Sequence, residues 1–204
     1  MPSLGWVISE RAASAILAER QGLGREQARQ LLLAGAAGQA VRVGSAHAYE
    51  ADLVLDLAQR PPAALGVLAQ ECPHGVYIAR LRRGRRFRCD WPWAEQAEVL
   101  AVQPPMTPLT RALVVHVPLV SQGALPWIAT LSGFVVLAAV ATGARLTEEG
   151  HLRFDLEPAG VWREAVEGRW FHTGPGRHWF AWHPDRLAPR PPGTQMTWRH
   201  RLTQ

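Results

Sequence analysis

Two groups of arginines carry the spacing in this chain that points to chemistry. Arg25, Glu26 and Arg29 follow directly on a Gly22-Leu23-Gly24 break. Arg25 and Arg29 lie one helical turn apart and share an outward face. Such side chains at the start of an exposed helix reach base edges in the major groove, where a guanidinium pairs with guanine through two hydrogen bonds. Further on, Val41-Arg42-Val43 is β-prone, Gly44-Ser45 is a turn, and His47 follows. A short hairpin there would carry Arg42 and His47 to phosphates or into the minor groove. The second group is Arg80, Arg82, Arg83, Arg85, Arg86 and Arg88, six arginines in nine residues. Tyr77, Ala79 and Leu81 alternate with Ile78, Arg80 and Arg82, and beyond Gly84 Phe87, Cys89 and Trp91 alternate with Arg86, Arg88 and Asp90. Period-two patterning on both sides of Arg83-Gly84 predicts a β-hairpin with Arg82, Arg83, Arg85 and Arg86 at its tip. A tip of that kind tracks phosphates, releasing a counterion for each one neutralised. The plain alternatives are a solvated strand edge protected by charge and, for Arg25 and Arg29, a helical cap whose arginines face water.

Other chemistry has less to stand on. No nucleophile elbow, phosphate loop or catalytic-triad spacing occurs, so no residue can be given a catalytic role and the chain reads as a non-enzyme. Cys72, His74 and Cys89 supply three potential ligands and no second pair, short of a zinc site, so neither a metal nor another cofactor is expected. His172, His178 and His183 are close in sequence, but His178 and His183 would point to opposite faces of one strand. His116 sits in the apolar run Leu113-Val114-Val115-His116-Val117, expected to be a buried strand with a core histidine.

The elements that must hold the first arginine group in place are legible. Ser9 can cap a helix whose first residue, Glu10, suits the positive end of the dipole. Ala12, Ala13, Ile16 and Leu17 give that helix one apolar face. A second helix over 25–34 turns Ala28, Leu31 and Leu32 inward and ends at Gly35. After the hairpin, which Tyr49 closes, Leu53, Val54 and Leu57 build a third helix that stops at Pro61-Pro62.

Ala12-Ala13, Gly24-Arg25, Leu32-Leu33-Ala34-Gly35 and Tyr49-Glu50-Ala51-Asp52-Leu53-Val54 together resemble the winged helix-turn-helix of MerR-type regulators and phage excisionases, over residues 6–60. The resemblance implies that the second helix enters the major groove and the following hairpin touches the DNA backbone.

Composition agrees with a polyanion partner without requiring one. The chain has 204 residues and a formal net charge of +5, and all 22 of its basic residues are arginine. Its two cysteines argue against a disulfide scaffold, and 1–6 lack the pattern of a signal peptide, which predicts a reducing, cytoplasmic setting. Of nine tryptophans, all but Trp6 lie beyond residue 90, which puts an aromatic-rich part in the second half. Residues 112–144 contain no Asp, Glu or Arg. Prolines and Gly123 cut that run, and the remainder, 127–143, reads as a central buried helix rather than a membrane span.

The expectation is therefore an α+β protein: a winged helix-turn-helix over 1–62, and a Trp-rich mixed α/β domain of unknown fold over 63–204 that dimerises or binds a ligand and ends in a basic tail. The expected partner is double-stranded DNA, the expected assembly a homodimer, and the expected role transcriptional regulation or an accessory DNA-binding function. The competing reading is a small-ligand or protein-interaction module with a helical N-terminal cap and no DNA.

Overall fold

The structure is a computed structural model, and it describes residues 6–81, 86–172 and 178–184. It is mixed α+β, with two sheets. The first 59 residues supply β1 (Val7–Ser9), α1 (Glu10–Gln21), α2 (Arg25–Leu33), β2 (Val41–Val43), β3 (Ala46–Glu50) and α3 (Ala51–Gln59). β3 is the middle strand of a three-stranded antiparallel sheet, with β1 and β2 on its two sides.

Local chemistry explains these boundaries. The Ser9 hydroxyl accepts from the Ala12 amide at 3.3 Å, as an N-cap does. Gly22 ends α1 in the left-handed conformation, and the Gln27 carboxamide folds back onto the Gly24 amide at 2.8 Å to start α2. α2 closes with paired bonds from the Gly35 amide to the Leu32 carbonyl and from the Ala36 amide to the Leu31 carbonyl. Ala13, Leu17, Ala28, Leu31, Leu32, Tyr49, Val54 and Leu57 are buried between the three helices and the small sheet. Each fully buried leucine contributes about 2 kcal/mol of transfer free energy there.

The remainder forms a curled six-stranded sheet in the order β5-β8-β7-β6-β4-β9, flanked by helices. Its strands are β4 (Val76–Arg80), β5 (Val102–Gln103), β6 (Leu125–Leu131), β7 (Phe134–Leu146), β8 (Leu152–Pro158) and β9 (Trp179–Trp182). Only the β4–β6 pair is parallel. The helices are α4 (Leu65–Glu71), α5 (Trp93–Ala101), α6 (Pro108–Arg111), α7 (Val117–Gln122) and α8 (Arg163–Val166), with a π-helical turn over Ala112–His116 joining α6 to α7.

Alternate residues of the sheet feed two cores. Tyr77, Ala79, Trp127, Ala129 and Phe154 face the side that also holds the core of α1–α3, so one apolar cluster runs through both sheets. Val76, Ile78, Ile128, Val135 and Ala138 face Leu68 of α4 and Val166 of α8. Burial on both faces is why these strands lack a polar side in the sequence.

Three expectations are corrected. The central helix over 127–143 is instead the β6–β7 hairpin, turning at Ser132-Gly133, whose φ values of 54° and 87° suit a two-residue hairpin turn. A continuous apolar run does not separate a buried helix from buried strands. The strand expected over 113–117 is the π-helical turn and the start of α7, and His116 is exposed. Pro118 has no amide to donate, and the wider turn ahead of it accommodates its ring.

The arginine hairpin expected over 76–91 does not form. Both edges of β4 are taken, by β6 and β9, and residues 86–89 are not a strand. Phe87 is instead buried in the core and the Cys89 amide donates to the Ala34 carbonyl at 2.7 Å. Arg82, Arg83 and Arg85 lie outside the described residues. No described helix is long and apolar enough to cross a membrane.

Candidate functional site

An open cleft of about 820 Å³ lies where the starts of α1 and α2 meet the β2–β3 hairpin. Ser9, Glu10, Arg11 and Ser14 line it from α1, Arg25, Glu26 and Arg29 from α2, and Ser45, Ala46 and His47 from the hairpin. The structure thus gathers Arg25, Glu26, Arg29 and His47, which the sequence singled out, onto one surface. Arg42 pairs in register with His47 across the β2–β3 ladder, so the two side chains stand on the same face of the sheet.

The faces of α2 explain the exposure. Ala28, Leu31 and Leu32 are buried, while Arg25, Glu26, Arg29 and Leu33 are exposed on the other side. The β6–β7 turn supports the helix from a third side, with the Ser132 hydroxyl donating to the Gln27 carbonyl at 3.1 Å.

Glu10 is the cleft residue that sequence reading missed as a partner. Its carboxylate accepts from Arg29 Nε at 2.7 Å and lies 3.3 Å from His47 Nδ1. Partial burial pushes the Glu10 carboxyl up, and the hydrogen bonds from Arg29 and His47 outweigh it, leaving it below its ordinary value. The same hydrogen bond raises the Arg29 guanidinium. Arg29 is therefore held within the fold, whereas Arg25 and Arg42 have no ion pair among the described residues. Three arginines against two carboxylates leave the cleft lining with a small positive excess.

The described members of the second arginine group, Arg80, Arg86 and Arg88, do not line this cleft. Arg88 grips Asp90 through two bonds of 2.7 and 2.8 Å, and Asp90 also accepts from Gln39 at 2.9 Å. These bonds from Arg88, set against slight desolvation, hold the Asp90 carboxyl far below the usual carboxylate range. They anchor the segment at the C-terminal end of α2, a helix length of roughly 13 Å from Arg25. Arg86 precedes this anchor and is exposed.

Among the described residues no group of three or more His, Cys, Asp or Glu side chains could hold a metal ion. His183 lies one residue beyond β9, while His172 stacks on the Trp170 ring, with centroids 5.8 Å apart. Burial pushes the thiols of both Cys72 and Cys89 up to about 12, so neither is a poised nucleophile.

Comparison with protein-family models, with curated proteins and with solved structures found no match to this chain.

Proposed function

We propose that this protein binds duplex DNA through its first 60 residues, acting as a winged helix-turn-helix in a regulatory or accessory role. The observation that carries the reading is the shared surface: the exposed start of α2, with Arg25, and the β2–β3 hairpin, with His47, open onto one cleft, and Arg42 stands beside His47 across the hairpin ladder. In this reading the start of α2 enters the major groove and the hairpin rides on the adjacent backbone. Arg25 reads base edges. Arg42 and His47 position the module on phosphates, and Arg86, with Arg82, Arg83 and Arg85 beside it in sequence, adds non-specific attraction along the duplex.

The test is affinity for a selected duplex and a scrambled one over a salt series. Arg25→Ala is expected to cost about 1–3 kcal/mol on the selected duplex and to relax one or two base positions. Arg42→Ala is expected to weaken both duplexes alike and to lower the salt slope by about one. A wild-type affinity that does not change with salt, or no selectable duplex, would overturn the proposal.

A further inference from the structure

The helical segment 108–122 has two apolar sides, and among the described residues only one of them is covered. Val115 is fully buried against the curled sheet, with Val114 and Leu119 packed beside it. On the opposite side Leu109, Leu113, Val117 and Val120 are 70, 61, 54 and 87% exposed. Their spacing of four, four and three residues keeps them on one stripe, along a helix about 22 Å long. Monomeric proteins seldom leave contiguous apolar strips of a few hundred Å² open to water.

We infer that this stripe is the self-association surface of the protein, and that a second copy of the same segment packs against it antiparallel across a two-fold axis. Two features of the segment select that occupant. The first is its near-palindromic spacing. A two-fold interface requires that if one residue contacts another, the reverse contact also forms. Antiparallel pairing sets Leu109 against Val120 and Leu113 against Val117 of the second copy, with apolar groups opposed throughout.

The second is charge. Arg111 is the one formal charge in the segment, and it lies in its first turn. The positive end of its own helix dipole disfavours a cation there. An antiparallel second copy brings the carbonyl end of α7 alongside Arg111 and turns that repulsion into attraction. A parallel copy would set Arg111 beside Arg111, and a basic partner helix would add repulsion. A membrane surface fits poorly, since lipid-seated amphipathic helices carry many cations on the polar face and this one carries a single arginine.

The inference needs no DNA and stands apart from the proposed function. Sedimentation equilibrium of the full chain without DNA tests it, over concentrations from about 1 to 100 µM, the range in which modest interfaces dissociate. Wild type is expected as a dimer. Leu113→Glu/Val120→Glu changes only exposed side chains, so circular dichroism should be unchanged while the dissociation constant rises by about thirtyfold or more. A mixture of Leu113→Cys and Val117→Cys proteins should give a mixed disulfide dimer on mild oxidation, which fixes the antiparallel register. A monomeric wild type, or a dimer that persists in the double variant, would overturn the inference. So would a monomer that binds neutral phosphatidylcholine vesicles through this stripe, which would reassign it to lipid.

Discussion

Glu10 and Arg29 meet at 2.7 Å across the junction of α1 and α2, so the arginine proposed from its spacing to read DNA is held by a carboxylate of its own fold. The pair is partly exposed, and its contribution to stability is at most about 0.5–1 kcal/mol. Glu10→Gln removes a negative charge from the cleft and frees Arg29. Affinity for any duplex should rise severalfold, and the salt slope should steepen by up to about one. The Glu10 carboxyl lies below its ordinary value of 4.5, so the stability of the pair is fully present above that pH. It is lost as the pH falls through the lower folded value. Urea melts of wild type and Glu10→Gln should therefore differ at pH 7 and converge in acid. An unchanged salt slope would mean that Arg29 never engages phosphate.

A second link crosses the proposed domain boundary. The Trp170 indole N–H donates to the Leu57 carbonyl at 3.2 Å, in a buried setting. The Trp170 amide donates to the Pro61 carbonyl at 3.0 Å, and the Ala63 amide to the Trp170 carbonyl at 2.8 Å. Trp170→Phe keeps an aromatic ring but leaves a gap and removes one of the two donors to the Leu57 carbonyl, which keeps the Arg60 amide at 3.3 Å, at a cost of about 2–4 kcal/mol. The apolar cluster that runs through both sheets predicts one unfolding transition for the whole chain, with coincident fluorescence and far-ultraviolet curves. Two separated transitions would show that 1–62 melts on its own.

The contrast between the two halves shows what the sequence could reveal. Around Ser9, Gly22 and Gly35 the cues are local, because caps and turns are decided within a few residues, and the structure places helix ends there. The β6–β7 hairpin was hidden because Trp127, Ile128, Val135 and Ala138 are buried on both sides of the sheet, which erases period two. The alternation around Arg83-Gly84 misled for the opposite reason. Tyr77 and Ala79 do alternate with Val76 and Ile78 between two cores, but the partners of β4 are β6 and β9, about 50 and 100 positions away. The Glu10–Arg29 pair spans 19 positions and depends on how α1 packs on α2, which spacing within either helix cannot encode.

The cysteines give a chemical prediction. Burial lifts both thiols to about 12, with Glu71 adding to the effect at Cys72 and Asp90 at Cys89. Near pH 8 the thiolate fraction is then on the order of a thousandfold below that of a free cysteine. Native protein should react with an aromatic disulfide reagent at least about a hundredfold more slowly than protein in guanidinium, where both thiols should titrate promptly. Rapid labelling of one native thiol would show that its surroundings open on the timescale of the assay.

The last prediction separates a steric clash from backbone strain at two glycines. Gly75 leads into β4 with φ at +101°, and a Cβ there would stand 2.6 Å from the Trp182 carbonyl oxygen. That oxygen belongs to β9, whose Trp182 pairs with Val76. Gly123 follows α7 with φ at +74°, and a Cβ there would meet nothing within 4 Å. Alanine at Gly123 should cost only the left-handed penalty, about 1–2 kcal/mol. Alanine at Gly75 must pay a similar penalty and also push β9 away from β4, which loosens a sheet edge and the packing of Trp182 against Phe171, for a total of about 3–5 kcal/mol. Guanidinium melts of the two single variants measure the difference directly. Equal losses would mean that β9 yields without cost, and the β4–β9 pairing would then be too weak to close that edge of the sheet.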